Sequence, residues 1–140
     1  MKKAEATVEY AGNDFYVATS PSGHAQTIDA NGARSAAASP LELLMLALGS
    51  CTAVDVVSIL AKKRQKVTRY KVEVRGERRE EHPRSFRRLE VKHIVGGHKV
   101  DPEAVRRAIE LSTDKYCSVA ATVRPTAEIV STFEIVEDET

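Results

Sequence analysis

Cys51 and Cys117 are the only two cysteines of this 140-residue chain, and each poses a choice between inert packing and redox chemistry. They lie far apart, with no CxxC pair and no histidine at metal-ligand spacing, so neither a zinc site nor a secreted disulfide framework is indicated. Cys51 stands in Gly49-Ser50-Cys51-Thr52, where small neighbours would leave room for a substrate. Packing competes with that reading, because a free cysteine behaves as a small hydrophobe. Cys117 follows Asp114-Lys115-Tyr116. If Asp114 caps a helix there, the thiol falls in its first turn, where unpaired N–H groups favour thiolate and Lys115 adds positive charge. Packing stays open for this cysteine as well.

Two carboxylates sit close to Cys51 in sequence. Ser39-Pro40-Leu41-Glu42 is a capping-box pattern, in which Glu42 at the third helical position reaches back to an N–H. Nine residues at about 100° each set Glu42 roughly opposite Cys51 on one straight helix, so it could serve that thiol only from a second copy crossing in a dimer. Asp55 lies one turn beyond Cys51 on the same face; an ion pair with an Arg or Lys is the simple reading and a general-base role the sharper one. The run from Arg75 to Arg88 is basic but partly neutralised by Glu77, Glu80 and Glu81 and holds one aromatic, Phe86, which suits a solvated loop better than a nucleic-acid contact. His24, His82, His93 and His98 show no ligand spacing, and no metal is assigned to them.

The elements that must position these groups follow from periodicity. Val8 and Tyr10, then Phe15 and Val17, alternate around Gly12-Asn13, a hairpin signature; a third strand covers His24 to Asp29, and the small residues from Gly32 to Ala38 form a loop. From Ser39 to Ala61 the chain is apolar nearly all round, predicting a helix of about 23 residues and about 35 Å. Glu42 and Asp55 within it, and Gly49-Ser50 interrupting it, argue against a membrane span. A soluble helix without a polar face must be covered on every side, while a sheet covers one; the uncovered side predicts an obligate homodimer. Strands follow around Tyr70, Val72 and Val74 and around Leu89, Val91 and His93, with Arg75 to Arg88 as the connection. Asp101-Pro102 reads as N-cap and first turn of a helix that turns Val105, Ile109 and Tyr116 inward. A further helix carries Asp114 to Ala121 and ends at Pro125, and Ala127 to Val136 forms the last strand.

That order makes the fold class α+β with helices on one face, and the length is that of a single domain spanning residues 1–140. Apolar residues at 42% and charged residues at 29% are globular proportions, and a net charge of +1 offers no global field for nucleic acid or an anionic membrane. With no apolar run of signal-peptide length behind Met1-Lys2-Lys3, the expected location is the cytoplasm.

Taken together, Ser39-Pro40-Leu41-Glu42 opening a long apolar helix, Gly49-Ser50-Cys51 at its centre, the segment from Arg78 to Phe86, and Leu111-Ser112-Thr113-Asp114-Lys115-Tyr116-Cys117-Ser118-Val119 resemble the OsmC/Ohr superfamily, and most of all its OsmC-like subgroup. The resemblance covers essentially the whole chain. It implies an intertwined homodimer, with long central helices enclosed by antiparallel sheets and two active sites at the subunit interface. It further implies a thiol-dependent peroxidase without metal or cofactor, Cys51 being the peroxidatic thiolate and Cys117 the resolving thiol, with an external dithiol as reductant. In that family a glutamate and an arginine assist the thiolate. Here Leu41, not an acid, follows the proline, so Glu42 comes one position late, and the only arginine before the helix is Arg34, in a loop. Leu44, Leu48 and Val54 would line an apolar pocket suited to organic peroxides. The alternative is an OsmC-like small-molecule or lipid-binding protein without peroxidase activity, whose cysteines merely line the pocket.

Overall fold

Strand alternation in the first third builds a meander. In the computed structural model, which describes residues 3–139, β1 (Thr7–Gly12), β2 (Phe15–Thr19) and β3 (Ala25–Asp29) form an antiparallel sheet in that order. The β1–β2 turn needs left-handed backbone at Gly12, Asn13 and Asp14, with φ of 89°, 57° and 67°, which glycine, asparagine and aspartate tolerate best. Tyr10 faces Tyr16 across the ladder with ring centroids 5.3 Å apart. These strands belong to the first of two compact units, Met1–Leu44 and Met45–Thr140.

The long apolar segment is α1 (Pro40–Lys62), 23 residues, with Lys62 in its last turn as the helix dipole favours. Its length and hydropathy would suffice to cross a membrane, yet one side of it is packed inside the protein. Leu48, Gly49, Thr52, Val56 and Leu60 are buried, a stripe about 120° wide at about 100° per residue. Opposite that stripe Leu46, Val54 and Val57 are 61%, 69% and 44% exposed.

In the second unit β4 (Lys66–Arg78) and β5 (Phe86–His98) form a long antiparallel hairpin, and β6 (Glu128–Glu137) lies beside β5. Two expectations change here. The predicted loop from Arg75 to Arg88 shrinks to residues 79–85, because the ladder continues beyond the apolar residues: Arg75 pairs with Glu90 and Glu77 with Arg88. Phe86 and Leu89 fill the space that a side chain at Gly76 would take, so the hairpin stays packed to its end. The sheet is also mixed, not antiparallel throughout, since β6 runs parallel to β5. The connection over residues 99–127 is a helical crossover, which returns the chain to the starting end of β5.

That crossover contains α2 (Pro102–Leu111), a π-helical turn (Ser112–Tyr116) and α3 (Ser118–Val123). Asp101 is the N-cap of α2 as predicted, its carboxylate accepting the Glu103 N–H at 3.0 Å. Val56 and Leu60 of α1, Val95 of β5, and Ala104, Val105, Ala108 and Ile109 of α2 make one core with Val100. The other face of the sheet is charged and exposed, with Arg88 bridging Glu90 and Glu128 at 3.1 Å each and Lys92 reaching Glu134 at 3.2 Å. Tyr116 does not turn inward: it is 52% exposed, because the wider π turn rotates it off the α2 face.

Candidate active site

Helix α1 brings Cys51 to the edge of its buried stripe, where the thiol is half-buried and free. Gly49 is small for a packing reason: a Cβ there would stand 3.0 Å from Val74 Cγ2, so its absence lets α1 approach β4. Ser50 is exposed and donates back to the Leu46 carbonyl at 2.7 Å. The small residues around Cys51 thus serve the sheet and the helix. Leu48 is 1% exposed and lies in the core, while Val54 is 69% exposed on the other side of the helix.

The second thiol reaches the first through the π turn. Cys117 is 2% exposed, and its N–H donates to the Ser112 carbonyl at 2.7 Å, the five-residue bond that widens the turn. That extra residue overturns the expected cap. Asp114 lies inside the π turn, and Cys117 itself is the N-cap of α3, its Sγ accepting the Ala120 N–H at 3.3 Å. Lys115 extends over the Tyr116 ring, 5.3 Å from its centroid. Burial pushes the Cys117 thiol up to about 11, and the neighbouring Cys51 side chain adds to the rise by hydrogen bonding and by repulsion between thiolates. The helix-end N–H groups that were expected to favour thiolate lower it by less than burial raises it. Cys117 therefore holds its proton at neutral pH, and both cysteines are free thiols placed side by side.

Asp55 has a partner, though not the expected cation. Its Oδ2 accepts from Ser112 Oγ at 2.8 Å, and Ser112 Oγ also lies 3.0 Å from Thr52 Oγ1. Sequence reasoning passed over Ser112 and Thr52, since a serine just past a helix carries no signal of its partner 57 or 60 residues away.

The other expected groups belong to the N-terminal unit, and each is engaged there. Glu42 closes the predicted capping box, with Ser39 N–H to Glu42 Oε1 at 2.8 Å and Glu42 N–H to Ser39 Oγ at 3.3 Å. The Ser39 N–H, and after it the Ser39 side chain, hold the Glu42 carboxyl below the usual range. Arg34 grips Asp29 in a two-point ion pair, Nε to Oδ2 at 2.8 Å and Nη2 to Oδ1 at 2.7 Å, donates to the Asn13 carbonyl at 2.6 Å and stacks 4.0 Å from the Phe15 ring centroid. Asp29, 2% exposed, was not anticipated; its carboxyl is held well below the usual range by the Arg34 guanidinium and by the N–H groups of Ala36 and Asn31, against the opposing cost of burial.

His93 is wholly buried on β5, its Nδ1 bonded to the Tyr70 hydroxyl and its Nε2 without a partner among the described residues. His24 bonds Ser22, and His98 lies 3.7 Å from Glu137. Among the described residues no three His, Cys, Asp or Glu side chains gather as a metal-holding group.

The profile of the family described as OsmC-like protein matches residues 31–132, which takes in both thiols and the elements between them. The chain belongs to the OsmC-like family. It is 40% identical over 132 residues to Protein YhfA of Escherichia coli K12, covering 94% of this chain and 98% of that one. A crystal structure of a hypothetical protein from Aquifex aeolicus VF5 is 35% identical, with a TM-score of 0.87 over 99% of this chain and 100% of the other. An organic hydroperoxide resistance protein from Elizabethkingia anophelis superposes with a TM-score of 0.69 over 97% and 98% of the two chains at 16% identity, a likeness of fold alone. The mixed α+β architecture described above is thus the OsmC-like one.

Proposed function

We propose that this OsmC-like chain is a thiol-dependent hydroperoxide reductase, with Cys51 the peroxidatic and Cys117 the resolving thiol. The observation that carries the reading is the contrast between two adjacent free thiols. Attack on a peroxide needs a thiolate that substrate can reach. Cys117 is buried and keeps its proton, whereas Cys51 is partly open, so the roles divide as the resemblance implies. Membership of a family with organic hydroperoxide resistance proteins among its structural neighbours supports the same substrate class. A peroxide is the substrate and an external dithiol the reductant, with no metal or prosthetic group in the reaction. Free cysteines suit the reducing cytoplasm.

The proposal includes a homodimer in which the two units act as one OsmC-like domain. Leu46, Val54 and Val57 form an exposed apolar strip along α1, opposite the side packed on β4, and a second copy of the chain would cover it. The intertwined arrangement, with central helices enclosed by sheets, is the form in which Glu42 of one copy would meet Cys51 of the other.

The test is to mix reduced protein with cumene hydroperoxide. Loss of peroxide with a Cys51–Cys117 disulfide in the mass spectrum is expected, and neither should occur in Cys51→Ser. A wild-type protein that leaves the peroxide intact and labels with no sulfenic-acid reagent would overturn the reading. The ligand-binding alternative is favoured by one observation, the engagement of both Arg34 and Glu42 with their own neighbours. It predicts a co-purified small molecule and an unreactive Cys51.

A further inference from the structure

Two thiols react as a pair only if the segments that carry them are held in register. Cys51 rides on a regular helix, whereas Cys117 lies between a π turn and the six-residue α3, so its place is set by whatever anchors that irregular stretch. The anchor is Ser112. It is 0% exposed, its carbonyl accepts the Cys117 N–H at 2.7 Å, and its hydroxyl bonds Thr52 Oγ1 at 3.0 Å and Asp55 Oδ2 at 2.8 Å. Thr52 directly follows Cys51, and Asp55 is one turn further along α1 on the same face. One residue therefore grips, by its side chain, the turn that bears the first thiol and, by its backbone, the residue that bears the second. Asp55 takes part in none of the ion pairs among the described residues, so nothing there competes with Ser112 for its Oδ2.

We infer that Ser112, held by Asp55, is a positioning residue that sets the approach of Cys117 to Cys51 and thereby governs disulfide closure. The inference rests on the peroxidase reading above and adds to it the residues that control its second step. In the first step the Cys51 thiolate attacks the peroxide: an S–O bond forms, the O–O bond breaks, sulfur is oxidised by two electrons, and the alkoxide leaves and takes up a proton as the alcohol. In the second step the Cys117 sulfur attacks the sulfenic sulfur: an S–S bond forms, the S–O bond breaks, and hydroxide leaves with the Cys117 proton as water. A dithiol then returns the disulfide to two thiols and is itself oxidised. Only closure depends on Ser112.

The test compares wild type, Ser112→Ala, Asp55→Ala and Asp55→Asn in the full chain. After one equivalent of cumene hydroperoxide, Ser112→Ala and Asp55→Ala should form sulfenic acid, trapped with dimedone, at the wild-type rate. Both should close the disulfide about tenfold more slowly, leaving more sulfinic acid in the mass spectrum. Asp55→Asn keeps an oxygen acceptor for the Ser112 hydroxyl and should restore most of the closure rate. In a glutathione redox buffer without peroxide, the first two variants should show about tenfold less disulfide relative to dithiol at equilibrium, a readout that general loss of stability in a folded protein does not move. Wild-type closure and wild-type glutathione equilibrium in both alanine variants would overturn the inference while leaving the peroxidase reading intact. Absence of sulfenic acid in the wild type would overturn the peroxidase reading and with it the proposed step, and the glutathione measurement would still report whether the clamp positions the thiols. If Ser112→Ala does not fold, Asp55→Ala at its half-buried position decides the matter on the same two readouts.

Discussion

At His93 a titratable ring lies wholly inside the C-terminal unit, joined to Tyr70 on one side and without a partner among the described residues on the other. Burial lowers its pKa to about 4, against about 6.5 in an unfolded chain. As pH falls through 6.5 the unfolded chain takes up a proton that the folded one refuses, so stability is full above 6.5 and is lost progressively down to about pH 4. The full loss is about 3 kcal/mol. Urea unfolding at pH 7 and pH 4.5 should show most of that loss in the wild type and much less of it in His93→Phe. At the thiols, Cys117→Ser should still consume one equivalent of peroxide but should accumulate sulfenic acid at Cys51, seen as a dimedone adduct by mass spectrometry. Both cysteines were visible as candidates in the sequence. Their proximity was implied by the family resemblance alone, because it depends on a π turn that neither hydrophobic period nor capping residues announce.

Elements were read more reliably than the groups they carry. The bounds of α1 follow from local chemistry: Ser39 and Glu42 close a reciprocal cap at one end, and Lys62 meets the dipole at the other. Ser39→Ala should therefore cost about 1 kcal/mol in thermal or urea unfolding, with little effect on the chemistry at Cys51. Gly49→Val addresses packing instead. Its Cβ would meet Val74 at 3.0 Å, so a loss of about 1–3 kcal/mol is expected, measured by the same unfolding curves. The β4–β5 hairpin was underestimated because its outer half alternates charged residues with Gly76 and Phe86, a pattern that resembles a basic loop until the cross-strand partners are known. The parallel placement of β6 was missed for a related reason: strand direction is set by the crossover that precedes it, not by the strand's own residues.

For the molecule as a whole, the exposed apolar strip of α1 makes the oligomeric state the sharpest measurement. Val54, 69% exposed, is the position to alter, since a charge there leaves the chain's own core untouched. Sedimentation equilibrium should report a dimer for the wild type and a shift toward monomer for Val54→Asp. A wild-type monomer would remove the need for a covering partner and with it the route by which Glu42 could approach a cysteine.

The amino-acid sequence by itself determined the α+β class, the order and approximate limits of the helices and strands, the Ser39–Glu42 and Asp101 caps, and the pair of residues able to do thiol chemistry. Each of these rests on interactions within a few positions along the chain or on a periodicity that local composition displays. Only the tertiary structure decided that Asp55 answers to Ser112 instead of a cation and that Cys117 is a buried, protonated neighbour of Cys51. Hydrogen bonding, burial and desolvation at those positions are set by groups brought from other elements, and no local pattern encodes which groups those are.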